Sequence, residues 1–265
     1  MKLSEVKVEA PFILMKGEPG LRKSTQALSF AKAGPQFWFS FDRKMSGILI
    51  PARNWGIDLS TIDYEDYDDW AKAAKKLEEL SMNAKKYTGG IIVDSITTMA
   101  DAALRQTLKI KIGQTRSSGQ KAGKLVGGIA VNEIEDYNAE AGAINEMMAL
   151  LKDINTFHKI PVILIAHVFE SGHKPGQTGT TVNRRIVTAG KAPAAKIPAV
   201  CTEVIHFNLK PGVVEGTGSL VMITENNGDD FARTSIGLPK EMPFTDEPLY
   251  EKWFKPAMDK MNQGK

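Results

Sequence analysis

Cysteine is nearly absent: Cys201 is the only one in the 265-residue chain. One thiol excludes an intrachain disulfide framework, and with no Cys/His cluster beside it there is no paired-cysteine zinc motif either. Cys201 therefore reads as a small buried apolar side chain, and the chain as one suited to a reducing cytoplasm. Long apolar runs are missing too. No stretch approaches the ~18–20 apolar residues of a membrane span. Met1-Lys2-Leu3-Ser4-Glu5 is not followed by the apolar core of a secretory signal. His158, His173 and His206 lack the spacing of a zinc site.

Acid is missing from two particular stretches. Residues 102–132 contain Arg105, Lys109, Lys111, Arg116, Lys121 and Lys124 and no Asp or Glu. Residues 171–202 contain Lys174, Arg184, Arg185, Lys191 and Lys196, again with no acid. Taking these 11 cations from the 34 basic residues leaves 23 against 31 acids, so an acidic body carries two basic, Gly/Ser-rich segments beneath a net charge of only +3. That asymmetry points to a polyanionic partner. Neither segment holds Phe, Tyr or Trp. Aromatic stacking platforms are thus absent and base stacking is not supported; sequence-independent contact with phosphates is the expectation.

What remains is an ordinary globular composition, 42% apolar, arranged as alternating strands and helices. Apolar runs predict buried strands at 11–15, 36–42, 89–95 and 161–168, with a further strand at 60–64. Helices are predicted over 24–32, ended by Gly34-Pro35, and over 66–86, 96–110 and 139–158. In 66–86 the apolar face is read as Trp70, Ala74, Leu77 and Met82. "EVIHFNL", "SLVMITEN" and "FARTSIG" suggest a strand and a hairpin around Asn227-Gly228, and 246–262 an amphipathic closing helix. No internal repeat or linker divides the chain, so one domain over 1–265 is expected. Alternation of this kind implies a mostly parallel sheet with right-handed crossovers.

The chemistry starts at "GEPGLRKST", residues 17–25. A phosphate-binding loop reads Gly, four residues, then Gly-Lys-Ser/Thr between a strand and a helix. Gly17, Lys23 and Ser24 keep that register, while Arg22 replaces the second glycine. Gly17, Glu18, Pro19, Gly20, Leu21, Arg22, Lys23, Ser24 and Thr25 are thus expected to cradle the phosphates of ATP. Lys23 reaches the β- and γ-phosphates and the Ser24 hydroxyl ligates Mg²⁺. The strand-ending Asp94 supplies the second oxygen toward the metal. Arg22 could crowd the phosphates or add a bidentate contact to them; hydrolysis rate is what this replacement puts in question.

"GEPGLRKST", "FWFSFD" (37–42), "GGIIVDSIT" (89–97) and "PVILIAHV" (161–168) resemble, in order and rough spacing, the RecA/RadA-type ATPase core. The chain is similar in particular to short phage-encoded versions of it, the annealing-associated, AAA-domain nucleotide-binding type. Gly190 to Phe207 and Ala232 to Pro239 share in the likeness. The resemblance implies a RecA-like P-loop NTPase core: a mostly parallel sheet flanked by helices, with a C-terminal β-hairpin. It implies that Asp42 activates the attacking water and that His167 senses the γ-phosphate. It also implies that loops at about 109–132 and 171–196 bind single-stranded DNA through Lys109, Lys111, Arg116, Lys121, Lys124, Lys174, Arg184, Arg185 and Lys191. Subunits would bury nucleotide between them, with an arginine supplied in trans, Arg233 or else Arg184 or Arg185. The implied role is an ATPase of phage recombination, annealing or replication in the host cytoplasm, partnered by a recombinase or single-strand-binding protein. A small-molecule P-loop phosphotransferase and a nucleotide-gated assembly module with little turnover are the other readings.

Overall fold

A computed structural model describes residues 9–118, 125–126, 129–130, 134–171, 183–188, 191–211, 218–226 and 231–263. Its centre is built from strands whose residues are apolar on both faces. These are β1 (Phe12–Gly17), β2 (Gln36–Ser40) and β4 (Gly90–Asp94), each buried along its whole length. A strand sandwiched between two helical layers has no solvent face, so it reads as a continuous apolar run, not an alternating one. β3 (Ile62–Asp66) is the exception, a mostly exposed edge of sequence IDYED.

The remaining strands are β5 (Leu125–Val126), β6 (Ile129–Ala130), β7 (Val162–Ser171), β8 (Asn183–Ile186), β9 (Glu203–Pro211), β10 (Gly218–Ile223) and β11 (Glu241–Pro243). The main sheet has the order β11-β10-β9-β1-β7-β4-β2-β3, with β8 pairing to β7. From β9 through β3 every pairing is parallel, and β10 and β11 add an antiparallel edge. β5 and β6 form a small antiparallel pair of their own.

Helices cover both faces. α3 (Trp70–Asn83), α4 (Ile96–Ser118), α5 (Ile134–His158) and α6 (Lys191–Val200) follow β3, β4, β6 and β8 in the chain. Phe12, Leu14, Val93, Leu164 and Val204 on one face of the sheet join their Leu77, Met99, Ile144, Leu151 and Ile197 in one core. On the opposite face Ile13, Met15, Trp38, Ile92, Ile163 and Phe207 pack with α1 (Lys23–Leu28), α2 (Leu49–Asn54) and the C-terminal segment. That segment is a π-helical turn, Tyr250–Phe254, continued by α7 (Lys255–Gln263).

Several expectations shift. α3 buries Trp70, Ala73, Leu77 and Leu80, while Met82 is 72% exposed. The 3.6-residue period places Met82 some 140° round the helix from Leu77. α4 runs to Ser118, so the first basic segment begins as helix and not as loop. The second contains β8 and α6. β10 pairs with β11, not with the "FARTSIG" stretch, whose Arg233 makes an isolated bridge to Val204. Asn227-Gly228 lies outside the described residues. Cys201 is buried, donates its Sγ–H to the Ile197 carbonyl at 3.2 Å, and is pushed above its ordinary pKa by burial.

Candidate functional site

In an open parallel sheet, ligands gather at the carboxyl ends of the strands. The candidate residues are brought together at that end of β1, β4, β2 and β7. Gly17 closes β1 and stands in register with His167 on β7 and Phe207 on β9. A Cβ on Gly17 would lie 2.5 Å from the Phe207 carbonyl oxygen, so only glycine fits there. Gly20 then takes φ +84°, a left-handed conformation open to glycine at no steric cost.

Arg22 adopts φ 56°, ψ 26°, the left-handed geometry a glycine would take at this point, and starts α1. Its backbone thus reproduces the loop that its identity seemed to break. The side chain leaves the loop: its guanidinium lies 5.3 Å above the Phe244 ring and 3.7 Å from Asp246. It does not crowd the cradle. α1 has no side-chain cap at its N-terminus, which leaves first-turn N–H groups to an anion. Lys23 is buried and spans the loop, donating to the Gly17 carbonyl at 2.9 Å and the Glu18 carbonyl at 2.7 Å. Burial lowers its pKa to about 8, against the opposing pull of Asp94, Asp42 and Glu18.

Asp94 ends β4 as a buried carboxylate. Burial raises its pKa to about 6, moderated first by a hydrogen bond from Ser24. A buried carboxylate beside a hydroxyl is a pair of hard oxygen donors short of positive charge. That suits Mg²⁺, which takes few protein ligands and completes its shell with phosphate and water. Among the described residues no group of three or more His, Cys, Asp or Glu could hold a metal ion.

Asp42 lies two residues past β2, its N–H donating to the Asp94 carbonyl at 3.1 Å. Its carboxylate accepts from Ser95 Oγ at 2.9 Å, from Thr98 Oγ1, and from His167 Nε2 at 3.4 Å. Burial would raise its pKa, but the donors, His167 first, hold it at about 2. Asp42 is therefore a firmly ionised acceptor. His167 N–H donates to Thr97 Oγ1 at 3.0 Å. Its Nδ1 is buried without a partner among the described residues. β7 continues four residues past His167, where it pairs with β8, so His167 does not end its strand.

Arg233 is placed elsewhere. It bridges Val204, three residues before Phe207 and so about 10 Å back along β9. Its guanidinium donates to the carbonyls of Ala199, at 3.0 Å, and Cys201. The site within one chain does not include it. Of the basic residues, Lys109 is exposed on α4, where Lys111 and Arg116 follow it. Arg184 and Arg185 lie on β8 and Lys191 begins α6. Lys121, Lys124 and Lys174 lie outside the described residues. His158 is bound to the Ser81 carbonyl at 2.7 Å, away from the site.

Sequence reasoning gave Ser95, Thr97 and Thr98 no role in the site. The signal was present: three hydroxyl residues follow the strand-ending acid in "DSITT", the spacing of a helix first turn. It also missed the grip of the C-terminal segment on α1. Gln26 Oε1 accepts from the Leu249 N–H at 2.9 Å and Ser29 Oγ from the Tyr250 N–H at 3.0 Å.

No protein-family model and no curated protein matches the chain by sequence. Solved structures match by shape. A RadB recombinase superposes with a TM-score of 0.51 at 14% identity, over 91% of this chain and 90% of its own. A KaiC-like protein, PH0186 of Pyrococcus horikoshii OT3, gives 0.51 at 14% identity, over 92% and 89%. The likeness establishes the RecA-like α/β fold: a mostly parallel sheet flanked by helices.

Proposed function

We propose that this chain binds and hydrolyses Mg²⁺–ATP and acts on single-stranded DNA. The observation that carries the reading is the convergence of Lys23, Ser24, Asp94, Asp42 and His167 at one end of the sheet. Lys23 and Ser24 come from the start of α1, Asp94 from the end of β4, Asp42 from just past β2 and His167 from within β7. In this reading Lys23 exchanges its two loop carbonyls for phosphate oxygens, and first-turn N–H groups of α1 meet the phosphate chain. Mg²⁺, held by Ser24 and faced by Asp94, would neutralise charge on the phosphates. Asp42 orients the attacking water by accepting a hydrogen bond from it. Held ionised at about 2, it suits orientation better than storage of a proton. His167, hydrogen-bonded to Asp42, faces the same space and reports on the terminal phosphate.

The DNA-binding part of the proposal draws on placement and charge. α4 starts directly after Asp94-Ser95, and β8 pairs with the extension of β7 just beyond His167, so the helix that leads into the first basic segment and a strand of the second both lie beside the site. Of the proteins with this fold, one is described as a recombinase. Assembly of several copies around the nucleotide, a phage origin, and partnership with a recombinase or single-strand-binding protein belong to the same proposal. ATP hydrolysis measured with and without single-stranded DNA tests it. Wild-type protein should turn over ATP, faster with DNA, and Lys23→Ala should lose nucleotide binding while keeping its melting temperature. Unchanged nucleotide affinity in Lys23→Ala would remove this loop as the site.

A further inference from the structure

The reaction proposed above leaves one thing unexplained: what keeps Asp42 aimed. It lies beyond the end of β2, and backbone pairing there reaches only its N–H. A carboxylate at such a position is free to rotate about its Cα–Cβ bond unless side chains hold it. Two of its three donors come from one short stretch, Ser95 and Thr98, at the start of α4. Ser95 Oγ also lies 3.2 Å from Thr98 Oγ1 and accepts from the Thr98 N–H at 3.3 Å. The two hydroxyls therefore form one unit, spaced by a helical turn. Between them Thr97 accepts the His167 N–H, so the same turn also holds the backbone of β7. The titratable groups around Asp42 are Lys23 from α1, Asp94 from β4 and His167 from β7.

We propose that the first turn of α4 is the device that positions Asp42, and that Thr98 is its main positioning residue. Thr98 touches neither phosphate nor metal in this arrangement; it acts through the carboxylate it holds. The inference rests on the reading of Asp42 as the group that orients water. Misplacing such a group by about 1 Å can cost about 10² in rate.

Thr98→Val keeps the branched shape and removes the hydroxyl at a half-buried position. Its kcat should fall by about 10² with KM for ATP unchanged, and Thr98→Ser should restore kcat to within a few-fold. A crystal structure of Thr98→Val should show the Asp42 carboxylate moved by about 1 Å or more. Wild-type kcat in Thr98→Val, or a raised KM at constant kcat, overturns the inference. If the wild-type protein hydrolyses no ATP, the functional reading fails. The Asp42 carboxylate of the variant still decides the positioning role, which is overturned if it stays in place.

Discussion

Arg22 shows how one side chain can mislead while its backbone complies. A non-glycine residue in the left-handed region costs roughly 1–2 kcal/mol. Glycine would remove that cost but return about 0.5–1 kcal/mol as unfolded-chain entropy. It would also lose the cation–π contact with Phe244, worth about 0.5–1 kcal/mol at an exposed site. Arg22→Gly is therefore expected to change stability by no more than about 1 kcal/mol in thermal melts and to leave nucleotide affinity intact. A collapse of affinity would make Arg22 a phosphate ligand. Asp94 makes the second residue-scale prediction. Its carboxyl is raised to about 6 by burial, so it is ionised above that pH and protonated below it. A cation needs the ionised form. Affinity for Mg²⁺–nucleotide should hold near pH 7, where Asp94 is ionised and Lys23 still protonated, and fall about tenfold per unit below about pH 6. A flat titration down to pH 5 would show that Asp94 does not face the metal.

At the scale of elements, α1 is too short to be stable by itself, since isolated helices of this length are marginal. It is kept in place from outside. Gln26 and Ser29 accept N–H groups of the C-terminal segment, and Phe30, in the 3₁₀ turn after α1, packs edge-on against Phe254 at 4.9 Å. Phe254 is fully buried. Phe254→Ala should destabilise the protein by about 3–5 kcal/mol in urea unfolding. Below that unfolding it should also weaken nucleotide binding, because the loop loses the helix it rests on. Loss of stability with unchanged affinity would uncouple the segment from the loop. α4 is the other element that reaches between functions. Its 23 residues span about 35 Å, from the turn that holds Asp42 to the positions of Lys111 and Arg116.

For the whole molecule, the two basic segments make a prediction about salt. Each phosphate neutralised on a single strand contributes about −0.7 to the slope of log K against log salt. Binding to single-stranded DNA should be salt-sensitive and nearly indifferent to sequence. Neutralising Arg184, Arg185 and Lys191 together should shallow the slope, by up to about 2 if all three contact phosphate. A slope equal to wild type would place the DNA on another surface. Arg233 bears on assembly. Its guanidinium already serves two main-chain carbonyls, so a role in a neighbour's site would require it to leave them.

The sequence alone determined the central strands, the glycine-bounded loop after β1 and the acids at or just past the strand ends. Each of these is local: an apolar run long enough to cross a sheet, a spacing of Gly, Lys and Ser, an Asp where the run stops. From their alternation came the parallel sheet, since helical crossovers leave few other ways to bury both faces. Only the tertiary structure decided how Arg22 is tolerated, because its side chain is received by Phe244 and Asp246, more than 200 residues away. It alone showed that Asp42 is held by Ser95 and Thr98 at the start of α4 and by His167 on β7, which become neighbours only once the sheet has formed. It also moved the partner of β10 from "FARTSIG" to Glu241–Pro243, where backbone pairing and burial of Met242 could be satisfied together. Strand and motif are written in neighbouring residues. The aim of a carboxylate and the direction of an arginine are set by packing, which no short stretch of the chain contains.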